Sequence, residues 1–141
     1  MIDDKLMEAM NKAANEKTPE EFEYRGFKCL IRRNNIAGNL CGYVVIPKDH
    51  RLYGKTYEDD DELGNIDVHG GITWSGPFPE ITDDWYIGFD CAHYRDLCPG
   101  MALLTRSSYL FEGQTYKDID YVRQEIKNMV DQFNANKNAE G

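Results

Sequence analysis

Nowhere in this 141-residue chain is there an apolar run near the roughly 18–20 residues that a membrane-spanning helix needs. A helical membrane span is therefore not expected. There is no phosphate-binding Gly-x-x-x-x-Gly-Lys loop and no Gly-x-Gly-x-x-Gly, so the common nucleotide-fold fingerprints are missing. His-Glu-x-x-His is missing too, as are paired Cys/His knuckles at zinc spacing. Cations are scarce in the middle of the chain. Between Thr56 and Tyr116 twelve acids meet only Arg95 and Arg106, while the rest holds 14 basic and 13 acidic residues. The overall charge of −9 thus resides in one segment. Non-specific nucleic-acid binding needs a basic stripe, and so does an anionic membrane surface; both are excluded as partners. An acidic segment serves either as a negative face toward a basic partner or as a solvated surface.

What is present suffices for a core. The chain is 41% hydrophobic and 12% aromatic, which excludes a disordered chain. One domain of this size buries roughly two thirds of the surface its unfolded chain exposes, without disulfides. The opening Met-Ile-Asp-Asp-Lys is acidic and polar and does not read as a secretory leader. Cytoplasmic placement with four unpaired cysteines is the expectation. Cys29 and Cys41 lie in apolar runs and read as small buried hydrophobes.

Apolar spacing predicts a helix over 2–15, carried by Ile2, Leu6, Ala9, Met10 and Ala13. Thr18 to Glu21 reads as a turn or a helical turn. Residues 24–33 and 40–46 alternate as strands across Asn34 to Asn39, which predicts a hairpin. Five consecutive acids, Glu58 to Glu62, repel one another and are not expected to pack. A third strand is expected from Ile66 to His69, leading past Gly70-Gly71 to Trp74. Gly76 to Pro79 reads as a turn, and Trp85 to Asp90 as a fourth strand. Residues 91–115 show no clear period, and a loop of that length is usually functional or hides an element. Tyr116, Ile119, Val122, Ile126, Met129, Val130 and Phe133 form the stripe of a final helix. The expected architecture is α+β: an antiparallel sheet of about four strands flanked by an N-terminal and a longer C-terminal helix. It occupies 1–141 as a single domain, with a frayed tail at 134–141.

Two segments combine strand, glycine and ionisable groups: Val68 to Gly76, and Trp85 to Asp96. If their strands pair, His69, Thr73, Asp90, Cys91, His93 and Asp96 come close together. Three chemistries fit. His69, Asp90 and His93 offer nitrogen and oxygen ligands for a metal-assisted hydrolase, with Cys91 or Asp96 as a fourth ligand. Cys91 or Ser75 offers a nucleophile beside His93 and Arg95. Alternatively the same groups bond one another and fix a loop. Arg95 and Arg106 have the planar fork that grips carboxylates and phosphates, and they fit either an anionic ligand or an ion pair with Asp90, Asp96 or Glu112. With Trp74, Trp85, Tyr86, Tyr94 and Tyr109 as stacking surfaces, the ligand-binding candidates are His69, Thr73, Trp74, Asp90, His93, Arg95 and Arg106. No cofactor is expected.

The motifs His69-Gly-Gly-Ile-Thr-Trp-Ser-Gly76 and Trp85-Tyr-Ile-Gly-Phe-Asp-Cys-Ala-His93 together resemble a family of small accessory proteins of bacteriophages and mobile elements, mainly of Gram-positive bacteria. Tyr24 to Phe27 and Tyr116 to Val122 extend the resemblance to about residues 24–133. It implies a counter-defence setting inside a host cell, in small, acidic and often oligomeric products, so a homo-oligomer belongs to the expectation. Such proteins act by binding, either sequestering a small nucleotide-like anion or covering a basic site on a host protein with an acidic surface.

Overall fold

A computed structural model describes residues 4–78, 82–104 and 113–140. Its order is α1 (Asp4–Asn15), β1 (Glu20–Tyr24), β2 (Phe27–Arg33), β3 (Leu40–Ile46), α2 (Asp61–Gly64), β4 (Trp74–Phe78), β5 (Thr82–Asp90), α3 (Pro99–Leu104) and α4 (Ile119–Glu140). The strands form one antiparallel sheet in the order β1-β2-β3-β5-β4. The fold is α+β as expected, with five strands. No helix among the described residues is long and apolar enough to cross a membrane.

The alternation of β2, β3 and β5 sends Cys29, Ile31, Leu40, Val44, Ile87 and Phe89 to one face, where α4 supplies Val122, Ile126, Met129, Val130 and Phe133. All of these are buried. At about 25 cal/mol per Å² of apolar surface removed from water, this layer dominates stability. A second, smaller core of Leu6, Ala9, Leu97 and Ala102 joins α1 to the segment around α3. The opposite sheet face carries Leu30, Phe78 and Tyr86, with Tyr43 and Val45 beside them.

The β2–β3 hairpin forms as read. Asn34 Oδ1 accepts from the amides of Ile36 and Ala37 at 2.9 and 2.8 Å, so one side chain shapes the turn.

Four expectations are corrected. The strand read as 24–33 is broken by a two-residue turn at Arg25-Gly26, where both residues have positive φ (51° and 86°). That twist suits a tight hairpin, and it creates β1, where the sequence predicts a turn or helical turn as far as Glu21 and a strand only from Tyr24. Arg25 bears the left-handed conformation and its Nη1 reaches Asp131 on α4 at 2.8 Å. Second, Ile66 to His69 is not a strand. Its period of two arises because Ile66 and Val68 drop into the core, while its backbone bonds side chains of α4. Asp67 N–H donates to Gln132 Oε1 at 2.8 Å, and the Asp67 carbonyl accepts from Asn128 Nδ2 and Gln132 Nε2. Third, Gly76 to Phe78 belongs to edge strand β4, with an irregular register between Gly76 and Phe78. Pro77 lacks an N–H, which an edge position tolerates.

The fourth correction is the acidic run. Asp60 caps α2 through the Leu63 amide at 3.1 Å. Glu62 grips Arg51 through two bonds of 2.6 and 3.3 Å, and Leu63 beneath is buried. Charge repulsion within the run is offset by one cap and one bidentate ion pair. Glu58, Asp59 and Asp61 stay exposed. The long segment after Asp90 hides α3 and a bridge between Asp96 and Thr115.

Candidate functional site

Five of the singled-out residues, Asp96 among them, converge where β5 ends. His69 sits in the loop tied down by α4, its amide donating to Glu125 Oε1 at 2.9 Å. Thr73 precedes β4 and donates its hydroxyl to Asp90 Oδ2 at 2.8 Å. Asp90 closes β5, and its Oδ1 accepts from the Ala92 amide at 3.0 Å. His93 Nε2 lies 3.2 Å from the same oxygen, within ion-pair reach but without hydrogen-bond geometry. The His69 and His93 rings stand 5.9 Å apart. Gly70 makes that approach possible. It has a positive φ of 70°, and a Cβ there would overlap the His93 ring.

Asp96 is the hub. Its side chain is 2% exposed. Oδ2 accepts from His69 Nε2 at 2.7 Å and from the His93 amide at 2.9 Å. Oδ1 pairs with Lys117 Nζ at 3.2 Å. Burial pushes this carboxyl up, but the bonds from His69, the His93 amide and Lys117 outweigh it and hold the group below its usual range. An ionised Asp96 can only accept, so His69 carries its proton on Nε2. In the neutral ring Nδ1 is then the acceptor, and the Tyr121 hydroxyl lies 2.8 Å from it. Tyr121 and Lys117 were quoted only within a motif, without a role. No signal in the sequence marks them, because both reach the hub from the start of α4 and the residues before it.

The other candidates go elsewhere. Trp74 stacks on Phe78 with centroids 5.0 Å apart, on the sheet face away from α4. Arg95 is exposed, adopts φ 78° and lies over the Tyr94 ring at 5.8 Å. It makes no ion pair among the described residues. Arg106 and Glu112 lie outside the described residues.

The nucleophile expectation for Cys91 is corrected. The residue is buried, and burial with Asp96 nearby raises its thiol, the opposite of activation. Burial likewise raises Cys98, to about 11. All four cysteines are unpaired. Ser75 Oγ accepts the Tyr57 amide at 3.2 Å and anchors a loop. For the metal reading, both ring nitrogens of His69 are engaged by Asp96 and Tyr121. Among the described residues no three His, Cys, Asp or Glu side chains are grouped to hold an ion.

Two cavities among the described residues are lined by none of the hub side chains. One, about 640 Å³, lies between α1 and the start of α4 and is lined by Asp4, Glu8, Glu16, Asp118 and Asp120, with Lys12. The other, about 860 Å³, runs along the sheet face away from α4. Glu21, Glu23, Lys28, Arg32, Asp84 and Tyr86 line it. Beside the groove, the Arg32 guanidinium lies 4.9 Å from the ring centroid of the buried Phe78, in a cluster where Tyr43 and Tyr86 meet Phe78 at 4.8 and 4.7 Å. Comparison of the chain with protein-family models, with curated proteins and with solved structures finds no match.

Proposed function

We infer that the protein acts by binding, and that its ligand is a small nucleotide-like anion seated on the sheet face away from α4. The observation that carries this reading is the groove of about 860 Å³ beside the Arg32–Phe78 contact. Its volume falls in the range of small-molecule sites, roughly 300–1,000 Å³. Arginine with aromatic faces is the set that stacks a base and grips an anion. Lys28, Arg32 and Arg33 supply the charge. Glu21, Glu23 and Asp84 line the same groove, so the anionic group has to sit toward Lys28, Arg32 and Arg33, with the planar part against Phe22 and Tyr86, the aromatics that line it. The seat is therefore shifted from the ligand set read in the sequence. At the Asp96 hub the polar groups are already bonded to one another. The motif resemblance supports a phage or mobile-element setting, in which sequestering such a ligand counters host defence.

A thermal-shift series with mononucleotides and cyclic nucleotides tests this, because a ligand that binds only the native state raises the melting temperature. Arg32→Ala should weaken binding roughly 10- to 150-fold, the equivalent of one charge-assisted bond. Absence of any shift across the series removes the reading.

One observation favours a second reading. The acidic cleft between α1 and α4 suits a basic side chain of a partner protein. Binding there would weaken steeply with salt, which separates it from the groove.

A further inference from the structure

We propose that Tyr121 is a base-assisted acceptor of acyl groups, with His69 taking its proton and Asp96 holding His69 in place. This site is independent of the sheet groove. Its parts are a hydroxyl, a base and an orienting group in one line. Tyr121 Oη is 2.8 Å from His69 Nδ1, and His69 Nε2 is 2.7 Å from Asp96 Oδ2. This is the nucleophile, base and orienter arrangement required of an activated hydroxyl. The rings of His69 and Tyr121 stand perpendicular at 5.4 Å. Access grades along the line: Tyr121 is 36% exposed, the His69 side chain 15% and the Asp96 side chain 2%. The reacting end thus faces solvent and the charge is buried.

Asp96 is itself fixed by Lys117 and the His93 amide, so it cannot swing away from His69. The Tyr121 hydroxyl meets the imidazole nitrogen that Asp96 does not engage. Burial, together with Glu125, Cys91 and Asp96, raises the phenol to about 12. A phenoxide is therefore not preformed, and reaction depends on removal of the proton during attack.

The surroundings select the donor. Asp90, Asp96 and Glu125 surround the site, with Lys117 the one cation paired into it. A phosphate dianion would be repelled, so the donor class is an uncharged carboxylic ester. Tyr121 Oη attacks the carbonyl carbon and forms the O–C bond. The phenolic proton passes to His69 Nδ1, and the imidazolium is stabilised by Asp96. The bond from the carbonyl carbon to the leaving oxygen breaks, and that oxygen takes the proton from His69. The products are acyl-Tyr121 and an alcohol, with no change of oxidation state.

The test uses the full chain with p-nitrophenyl acetate, and peptide mass mapping of acetylated tyrosines over time. Tyr94 is the internal reference, because at 78% it is more exposed. If exposure governs, Tyr94 reacts first. The proposal requires Tyr121 to react first, and His69→Gln to slow Tyr121 by roughly 100-fold or more, the range of general-base assistance. Gln retains a donor for Asp96, and Tyr94 should be unaffected. Tyr94 reacting ahead of Tyr121, or an unchanged Tyr121 rate in His69→Gln, overturns it. Should that variant not fold, the Tyr121 to Tyr94 ratio in the unaltered chain decides alone. Labelling of Tyr121 by p-nitrophenyl phosphate in place of the acetate overturns the donor class.

Discussion

The two faces of the sheet are built from the same strands and differ in what covers them. The face under α4 is dry and apolar: Ile31, Val44, Ile87 and Phe89 meet Val122, Ile126, Met129 and Phe133. The opposite face holds aromatics in a smaller cluster, Leu30, Phe78 and Tyr86, rimmed by Lys28, Arg32, Glu21, Glu23 and Asp84. Close packing makes the first face intolerant of any polar intruder. The second leaves charged groups facing a groove, where a ligand can exchange with water. The Asp96 hub lies at the end of β5 and differs from both. It is polar like the groove and enclosed like the core. Its groups bond mainly one another, and Tyr121, His93 and Asp90 are the members that reach solvent.

This contrast can be broken at the dry face with the largest effect. Val122→Asp places a carboxylate in the fully buried layer. The cost is about 4 kcal/mol or more, against a total stability of roughly 5–15 kcal/mol. The expected outcome is loss of a cooperative melting transition. A soluble variant with an unchanged melting temperature would show that α4 does not pack there.

The hub comes next. Asp96→Asn leaves Lys117 and His69 without their carboxylate, at a cost of about 3 kcal/mol. Because the folded carboxyl is held below its ordinary value, its contribution is complete above the unfolded pKa near 3.9. It fades as pH falls through the lower folded value. Urea melts at a series of pH values should therefore show a constant gap between the two proteins at neutral pH. The gap should close only in the acid range, below about pH 4. A gap that closes already near pH 6 would assign the effect to another group.

The smallest effect sharpens the distinction within the acidic run. Glu62→Gln should cost about 1 kcal/mol by loosening the pair with Arg51. Joint replacement of Glu58, Asp59 and Asp61 by Ser should change stability by no more than about 0.5 kcal/mol. Equal effects in the two variants would mean that the run acts through net charge and not through the Arg51 contact.

How much of this was legible follows from the range of the interactions. The β2–β3 hairpin was readable because Asn34 and the strands on either side of it act within a dozen residues. The α4 stripe was readable because its period of 3.6 was uninterrupted. Strand β1 was missed because the Arg25-Gly26 turn puts a bulky residue in a left-handed conformation, against its preference. Ile66 to His69 was misread because alternation reports which side chains are buried, not what the backbone bonds. The grouping of His69, Thr73, Asp90, Cys91, His93 and Asp96 was expected from a pairing of two strands, but only the Thr73 side arrives beside β5 that way; His69 is placed by its bond to Glu125 on α4. That Asp96 would be its centre, with Lys117 and Tyr121 as partners, was not foreseen.

The local pattern of the chain determined its class: α+β, antiparallel, with an acidic middle and a C-terminal helix over the sheet. These are consequences of periodicity and composition, which need no knowledge of distant contacts. The tertiary structure alone decided which polar groups are consumed and which face solvent. Asp96 meets Lys117 and His69 across 21 and 27 residues of chain, Arg51 meets Glu62 and the Phe133 carbonyl of α4, and Arg32 meets Phe78 across the sheet. Such pairings depend on where α4 and the loops come to rest, and that is set by the burial of the core and not by the charged residues themselves.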